Sequence, residues 1–433
     1  MLRFRFVREV AIMQGGKFVP LLGGLLSSIL YARLLGLGGY GTYAVVLAFT
    51  GVIGLFTNLG QRFTTLTFLA EAYGRQDREA MVQVSRYYSI LSIATMLLLG
   101  IIFFLLPQLS ILIYGRSEIG TLAQFVFLAS MLDPFYIFFS IALQTVREIR
   151  FLTIVENAYV VVQLGFAILF ILQGMGPAGI LLGSLVTSAI SAFASLALYP
   201  RIARVHKLPT LQEIFSLGKT RHFWRHFKNG IWIAVDKSLS SLYPNVFIFA
   251  LSLRSSDAVI GLIRLAFKFA SLPGTYVLSN ISRLASSVIP ALAARGARFG
   301  RDLMRLLRYS FLLHIGVSLV TAIIVPLLFP YIYGSSFGPA MYPFWVILAT
   351  QLILPLHAVS TPLFRMYDQI SVTARANFAA TVIGLVVFFT FAQRLPATWA
   401  FYIAICLYQV IVVLLLIKKI FRMLWGQALG TVA

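Results

Sequence analysis

The 433-residue chain is 60% hydrophobic and 11% charged, and its 35 Lys and Arg against 13 Asp and Glu leave a net charge of +22; the mean hydropathy is +0.91. This composition excludes an ordinary soluble domain, in which apolar residues make up about half. The one cysteine, Cys406, excludes an intramolecular disulfide and any cysteine-built metal site.

Twelve mostly apolar stretches, each long enough to cross a hydrocarbon core of about 30 Å, follow one another at 12–34, 41–61, 87–106, 121–142, 152–173, 178–199, 230–252, 259–282, 309–329, 341–361, 377–393 and 396–417. Closed barrels are the other spanning solution, but these stretches are too long for barrel strands and do not alternate. The prediction is an all-α polytopic membrane protein of about twelve transmembrane helices. The N-terminus does not read as a cleavable signal: Gln14-Gly15-Gly16-Lys17 interrupts the first apolar run, and no small-residue cleavage site closes it. External connections are short, as at Gly174-Met175-Gly176-Pro177 and Arg394-Leu395-Pro396. The longest polar stretch, 200–229, carries seven cations against Glu213 and includes Trp224, which predicts an amphipathic helix on the inner leaflet for part of it.

The chain also repeats itself. Tyr114-Gly115 returns as Tyr333-Gly334, Leu128-Ala129-Ser130 as Leu348-Ala349-Thr350, and Pro134 as Pro355, at offsets of 219, 220 and 221 residues. Gly36-Leu37-Gly38-Gly39-Tyr40-Gly41 has a fainter echo ending at Gly261. A near-constant offset predicts two like lobes, 1–199 and 230–433, joined by a basic cytoplasmic linker at 200–229. Six spans per lobe is an even number, so the repeat is parallel, and pseudo-symmetry of this kind belongs to transporters.

With the N-terminus placed in the cytoplasm, inner segments hold 27 of the 35 Lys and Arg, and the outer side holds Arg33, Arg116, Arg254 and Arg394. This positive-inside bias puts both termini in the cytoplasm. It makes membrane lipids, rather than nucleic acid, the partner of the basic surface.

Ionisable groups at helix-centre depth cost about 2.5–3.5 kcal/mol each on insertion scales. In span eight, Arg264, Lys268, Ser271, Thr275, Ser279 and Ser282 share one face at helical periodicity. Two cations on that stripe predict a water-filled, anion-attracting cavity; Ser and Thr alone would read as small packing residues. Pro273 is expected to bend this span. Lys17, Asn58, Arg62 and Lys237 are further candidates for anion and sugar contacts, and Asp133, Asp236 and Glu156 for ion coupling. Each has a plainer reading beside it. Asp133 precedes Pro134 and suits a local turn, and Asp236 neutralises Lys237. Glu156, Arg62 and Lys17 approach the solvated interface, and His314 and His357 read as packed residues. Nucleotide-binding loops, HExxH, GxSxG and clustered metal ligands are missing from the sequence, so the chain does not read as an enzyme.

Ala32-Arg33-Leu34-Leu35-Gly36 with Gly41-Thr42-Tyr43-Ala44, then Asn58-Leu59-Gly60 and Ala70-Glu71-Ala72-Tyr73, resembles the opening of Wzx-type polysaccharide and O-antigen flippases of the multidrug/oligosaccharidyl-lipid/polysaccharide (MOP) exporter superfamily. The two Tyr-Gly pairs resemble that family as well; Gly261-Leu262-Ile263 departs from it by lacking the tyrosine of Gly-x-Tyr. Lipid-II flippases of the superfamily are expected to have two further C-terminal spans, which the twelve-span reading lacks. The resemblance implies a flippase that carries undecaprenyl-diphosphate-linked oligosaccharide from the inner to the outer leaflet of the bacterial cytoplasmic membrane, for O-antigen or exopolysaccharide. It implies alternating access through a cationic central cavity, no cofactor, H⁺ or Na⁺ coupling as an option, and polysaccharide polymerase and glycosyltransferases as partners. Its rivals are a cation-coupled multidrug or metabolite antiporter of the same superfamily and a membrane enzyme of polysaccharide assembly.

Overall fold

The computed structural model describes residues 16, 18–54, 61–215, 224, 227, 243–278, 281, 282, 285, 288, 289, 299–367, 369 and 371–428. The chain divides into two compact units, Met1–Ser238 and Leu239–Ala433. Every element among the described residues is helical, and eight helical runs are long and apolar enough to cross a membrane. Two of them hold two predicted spans each: Phe18–Gly54 takes in the first pair and Ile149–His206 the fifth and sixth. The seventh and eighth spans are represented by Tyr243–Ser252 and Asp257–Ala270.

In the first unit, α1 (Phe18–Gly54) breaks at Gly36, in the gap predicted between spans one and two. Gly36 has φ 66°, a conformation that costs little only without a Cβ. Then come α2 (Gln61–Gly74), α3 (Arg78–Tyr114), α4 (Ser117–Thr145), α5 (Ile149–Phe170) and α6 (Gly176–His206). α3 begins where the Asp77 carboxylate accepts the Ala80 N–H at 2.9 Å, one of the donors the helix start leaves unpaired. Its buried face, with Met81, Val84 and Tyr88, joins Phe138, Phe139, Leu143 and Tyr199 of α4 and α6 in one core.

α5 and α6 pack through small residues. A Cβ on Gly183 would sit 2.6 Å from the backbone nitrogen of Ala167 and 2.8 Å from its Cα. Backbone cannot retreat as a side chain does, so Gly183→Leu is expected to push the helices apart. The cost is ~1–3 kcal/mol or more, seen as a lower melting temperature in detergent.

A short helix, α7 (Leu211–Phe215), follows α6 and packs on α3. Thr210 and Glu213 form a capping box: the Thr210 N–H and hydroxyl donate to Glu213 Oε2 at 2.7 and 2.9 Å, and the Glu213 N–H donates to Thr210 Oγ1 at 3.3 Å. Arg78 Nη2 spans both Glu213 oxygens at 2.9 Å, and Arg86 Nε donates to the Glu213 carbonyl at 2.8 Å. The Thr210 backbone bond, with help from the Thr210 hydroxyl and Arg78, holds the Glu213 carboxyl below the usual carboxylate range. A lowered value means that the clamp is present above the ordinary glutamate pKa and is lost as pH falls through the lowered one. Glu213→Gln is therefore expected to speed trypsin cleavage within 201–228 at neutral pH, where the carboxylate of the unsubstituted chain is ionised and the clamp is intact.

The second unit runs α8 (Tyr243–Ser252), α9 (Asp257–Ala270), a π turn at Gly274–Leu278, α10 (Phe299–Tyr333), a 3₁₀ turn at Ser335–Ala340, α11 (Met341–Gln351), α12 (Leu354–Met366), α13 (Ser371–Phe391) and α14 (Ala397–Ala428). α9 packs on α11, and α13 on α14. Tyr243 stacks on Tyr408 at 4.3 Å, and the Tyr408 hydroxyl donates to Asn377 Oδ1 at 3.1 Å.

The repeated Tyr-Gly pair ends α3 and α10 alike. Gly115 (φ 69°) and Gly334 (φ 86°) both carry positive φ, and each donates its N–H to the carbonyl four residues back, Ile111 at 2.8 Å and Pro330 at 2.9 Å. The repeated proline behaves differently in the two units. Pro134 lies inside continuous α4, whereas the predicted span 341–361 is interrupted between Gln351 and Leu354. Pro355 has no N–H for the Gln351 carbonyl four residues back, and His314 of α10 faces that carbonyl instead, with Nε2 at 3.0 Å. His314 is fully buried there, as the packed reading expects.

Candidate functional site: a cationic face and an acidic seam

α9 sorts its side chains by exposure. Ile263, Leu265, Ala266, Phe267, Phe269 and Ala270 are buried, while Arg264 and Lys268, one turn apart, are half-buried. Ser271 is half-buried and Thr275 exposed, so the stripe continues past the end of the helix. Cations at membrane depth are expected to face a polar cavity or a partner rather than lipid.

Arg264 is aimed. Its Nη1 donates to Asn245 Oδ1 of α8 at 2.9 Å, which fixes one edge of the guanidinium and leaves its fork geometry usable by an oxyanion. Ser271 and Thr275 are spoken for in part. Their hydroxyls donate to the backbone carbonyls of Lys268 at 3.1 Å and Ser271 at 2.9 Å, so toward a ligand they offer lone pairs rather than protons. α9 gives way at Ser271, two residues before Pro273, to the Gly274–Leu278 π turn, consistent with the predicted bend.

The first unit holds a second polar group of residues. Asp133 Oδ1 of α4 accepts from Ser188 Oγ of α6 at 2.8 Å, and Ser188 Oγ lies 3.3 Å from the Tyr159 hydroxyl of α5. Gln163 Nε2 donates to Ser184 Oγ at 2.8 Å, one turn along both helices. Tyr136 and Tyr159 stack at 5.2 Å. Tyr136 is within electrostatic reach of Glu156, Arg62 and Asp133, so candidates from three separate helices meet around one ring. Asp133 and Glu156 are half-buried and Arg62 exposed.

Sequence reasoning missed Asn245, Ser184 and Ser188. Asn245 carried a faint signal as an amide inside an apolar stretch; the serines carried none beyond their i, i+4 spacing. Lys17, Asn58, Asp236 and Lys237 lie outside the described residues. Among the described residues no group of three or more His, Cys, Asp or Glu is placed to hold a metal ion.

The profile of a family described as "Polysaccharide biosynthesis protein" matches residues 6–294. No curated protein matches the chain in sequence. Solved structures of similar fold include an inward-facing multidrug resistance MATE family transporter of the MOP superfamily, with TM-score 0.71 and 15% identity over 92% of this chain and 94% of that one. The lipid II flippase MurJ in an inward closed conformation has TM-score 0.68 and 16% identity over 95% and 87%. A MOP superfamily transporter from Pyrococcus furiosus, described as having a binding pocket of reverse polarity that suggests a different function, has TM-score 0.61 and 15% identity over 96% and 95%.

Proposed function

The chain belongs to the polysaccharide biosynthesis protein family and has the two-lobed helical fold of MOP superfamily transporters, and from that premise we propose that it flips a polyprenyl-diphosphate-linked oligosaccharide from the cytoplasmic to the outer leaflet. Family and fold set it among multi-pass membrane transporters and flippases rather than enzymes.

The observation that carries the substrate reading is the half-open cationic face of α9. A diphosphate-sugar head cannot enter hydrocarbon cheaply. Arg264, aimed by Asn245, and Lys268 one turn away would hold its phosphates in a cationic cavity, and the lone pairs of Ser271 and Thr275 would accept from sugar hydroxyls. The lipid tail would stay in the bilayer throughout, while alternating access exposes the cavity to each side in turn. The same reading places the protein in the bacterial cytoplasmic membrane with both termini inside, beside the glycosyltransferases that build the substrate and the polymerase that consumes it, in O-antigen or exopolysaccharide assembly.

The acidic seam favours a second element, coupling to H⁺ or Na⁺ through Asp133 and Glu156, with Asp236 as a further candidate. Taken alone, that seam would suit the rival reading of an antiporter for cationic compounds. Proteoliposomes separate the two. With the purified chain and a fluorescent lipid-linked oligosaccharide, the head group is expected to reach a membrane-impermeant quencher on the opposite side faster than in protein-free vesicles. Proton-driven ethidium movement with no head-group movement would overturn the flippase reading.

A further inference from the structure

At the Asp257 end of the second unit, a cleft of about 330 Å³ opens between α9, α11 and α14. Three rings wall it. Tyr342 lies 5.7 Å from Trp399 and 5.4 Å from Tyr402, and Trp399 lies 6.1 Å from Tyr402, all inclined toward edge-on. Leu262, Pro339 and Thr398 line it beside the rings. Trp399 is 51% exposed and Tyr342 49%, while Tyr402 is 9% exposed and anchors the other two.

The geometry points to a saccharide subsite: a cleft that stacks a pyranose ring of the transported head group on Trp399 and Tyr342. This rests on the flippase reading and extends it to residues away from the cationic stripe. The cleft falls at the lower end of the size range of small-molecule pockets, and a mostly apolar lining with a few polar groups is their usual composition. A pyranose offers an apolar C–H face and a rim of hydroxyls. The rings match the face, and the Tyr hydroxyls, the Trp399 indole N–H and the Thr398 hydroxyl are the donors and acceptors a rim requires.

An interfacial belt and a cation cage both fit the rings less well. Interfacial aromatic residues are spread as a belt around the bundle at headgroup level, whereas these three converge on one concavity. An aromatic cage for an organic cation draws on the same ring faces, but no acidic residue lines the cleft, and α9 carries Asp257 at its start against both Arg264 and Lys268 farther along, a net positive helix.

The test uses the full-length chain in nanodiscs with Trp399 as the one tryptophan, Trp224, Trp232, Trp345 and Trp425 being replaced by Phe. The probe is the oligosaccharide released by mild acid from the host's own lipid-linked fraction, so that sugar identity is correct and lipid and diphosphate are gone. A saturable change in Trp399 emission is expected. It should persist in the Arg264→Gln/Lys268→Gln background and weaken roughly tenfold or more in Tyr342→Ala, as for loss of a contact residue that carries binding energy. Equilibrium dialysis of the tritiated oligosaccharide against the chain with all its tryptophans, with and without Trp399→Ala, reads the same site where the Phe replacements impair folding. A response to tetraethylammonium in place of the oligosaccharide would overturn the proposal in favour of a cation cage. No response to either, in protein that flips the intact lipid, would reduce the rings to an interfacial belt. Saccharide binding without flipping would leave the subsite standing and sink the flippase reading instead.

Discussion

Arg264→Gln/Lys268→Gln is expected to lower surface polysaccharide by at least roughly 100-fold in cells lacking the native copy, with lipid-linked oligosaccharide accumulating inside. Each cation would contribute charge-assisted hydrogen bonds of ~1.5–3 kcal/mol to a phosphate, and every 1.4 kcal/mol is about tenfold. Single variants should then lose roughly tenfold or more. Protein level separates this from misfolding: glutamine keeps much of the side-chain length and hydrogen-bonding capacity without the charge that is costly at membrane depth, so the double variant should insert as well as the parent. Asn245→Ala keeps both charges but releases the guanidinium edge held at 2.9 Å, and an intermediate loss is expected. Normal export by the double variant at normal protein level would sink the cationic-site reading.

The pairing of these two cations was legible because helical periodicity alone places positions 264 and 268 on one face. Subtracting the repeat offset of 220 from positions 264 and 268 gives Ala44 and Ala48, and both are fully buried in the first unit. One lobe thus packs that turn with small residues, while the other leaves it half-open and charged. What periodicity does not carry is any partner on another helix. Asn245 reaches Arg264 through the packing of α8 on α9, and Ser188 reaches Asp133 across 55 residues of chain. Prolines were equally ambiguous: Pro134 and Pro355 match in the repeat, yet one lies within a continuous helix and the other just past a break. A proline always removes one backbone bond, and whether the helix parts there depends on what else satisfies the orphaned carbonyl. At Gln351 that group is His314, which no local pattern joins to it.

Asp133→Asn should separate coupling from architecture. Asparagine has nearly the shape of aspartate, and its Oδ1 still accepts from Ser188 Oγ, so the 2.8 Å bond and the seam around Tyr159 survive the change. What disappears is the ability to take up a proton or to balance a cation. Ser188→Ala does the reverse: it keeps the carboxyl and deletes its hydrogen bond, at a cost of ~1 kcal/mol for this half-buried acceptor. If Asp133 couples transport to an ion gradient, Asp133→Asn lowers flipping driven by an imposed pH or Na⁺ gradient in proteoliposomes by roughly tenfold or more, the reach of about 1.4 kcal/mol. Flipping without a gradient and the melting temperature stay near those of the parent. Ser188→Ala shows the converse, a lower melting temperature with gradient dependence kept. Equal gradient response in Asp133→Asn and parent would make the carboxyl a structural acceptor and move the coupling role to Glu156, whose Gln variant would then have to show the loss.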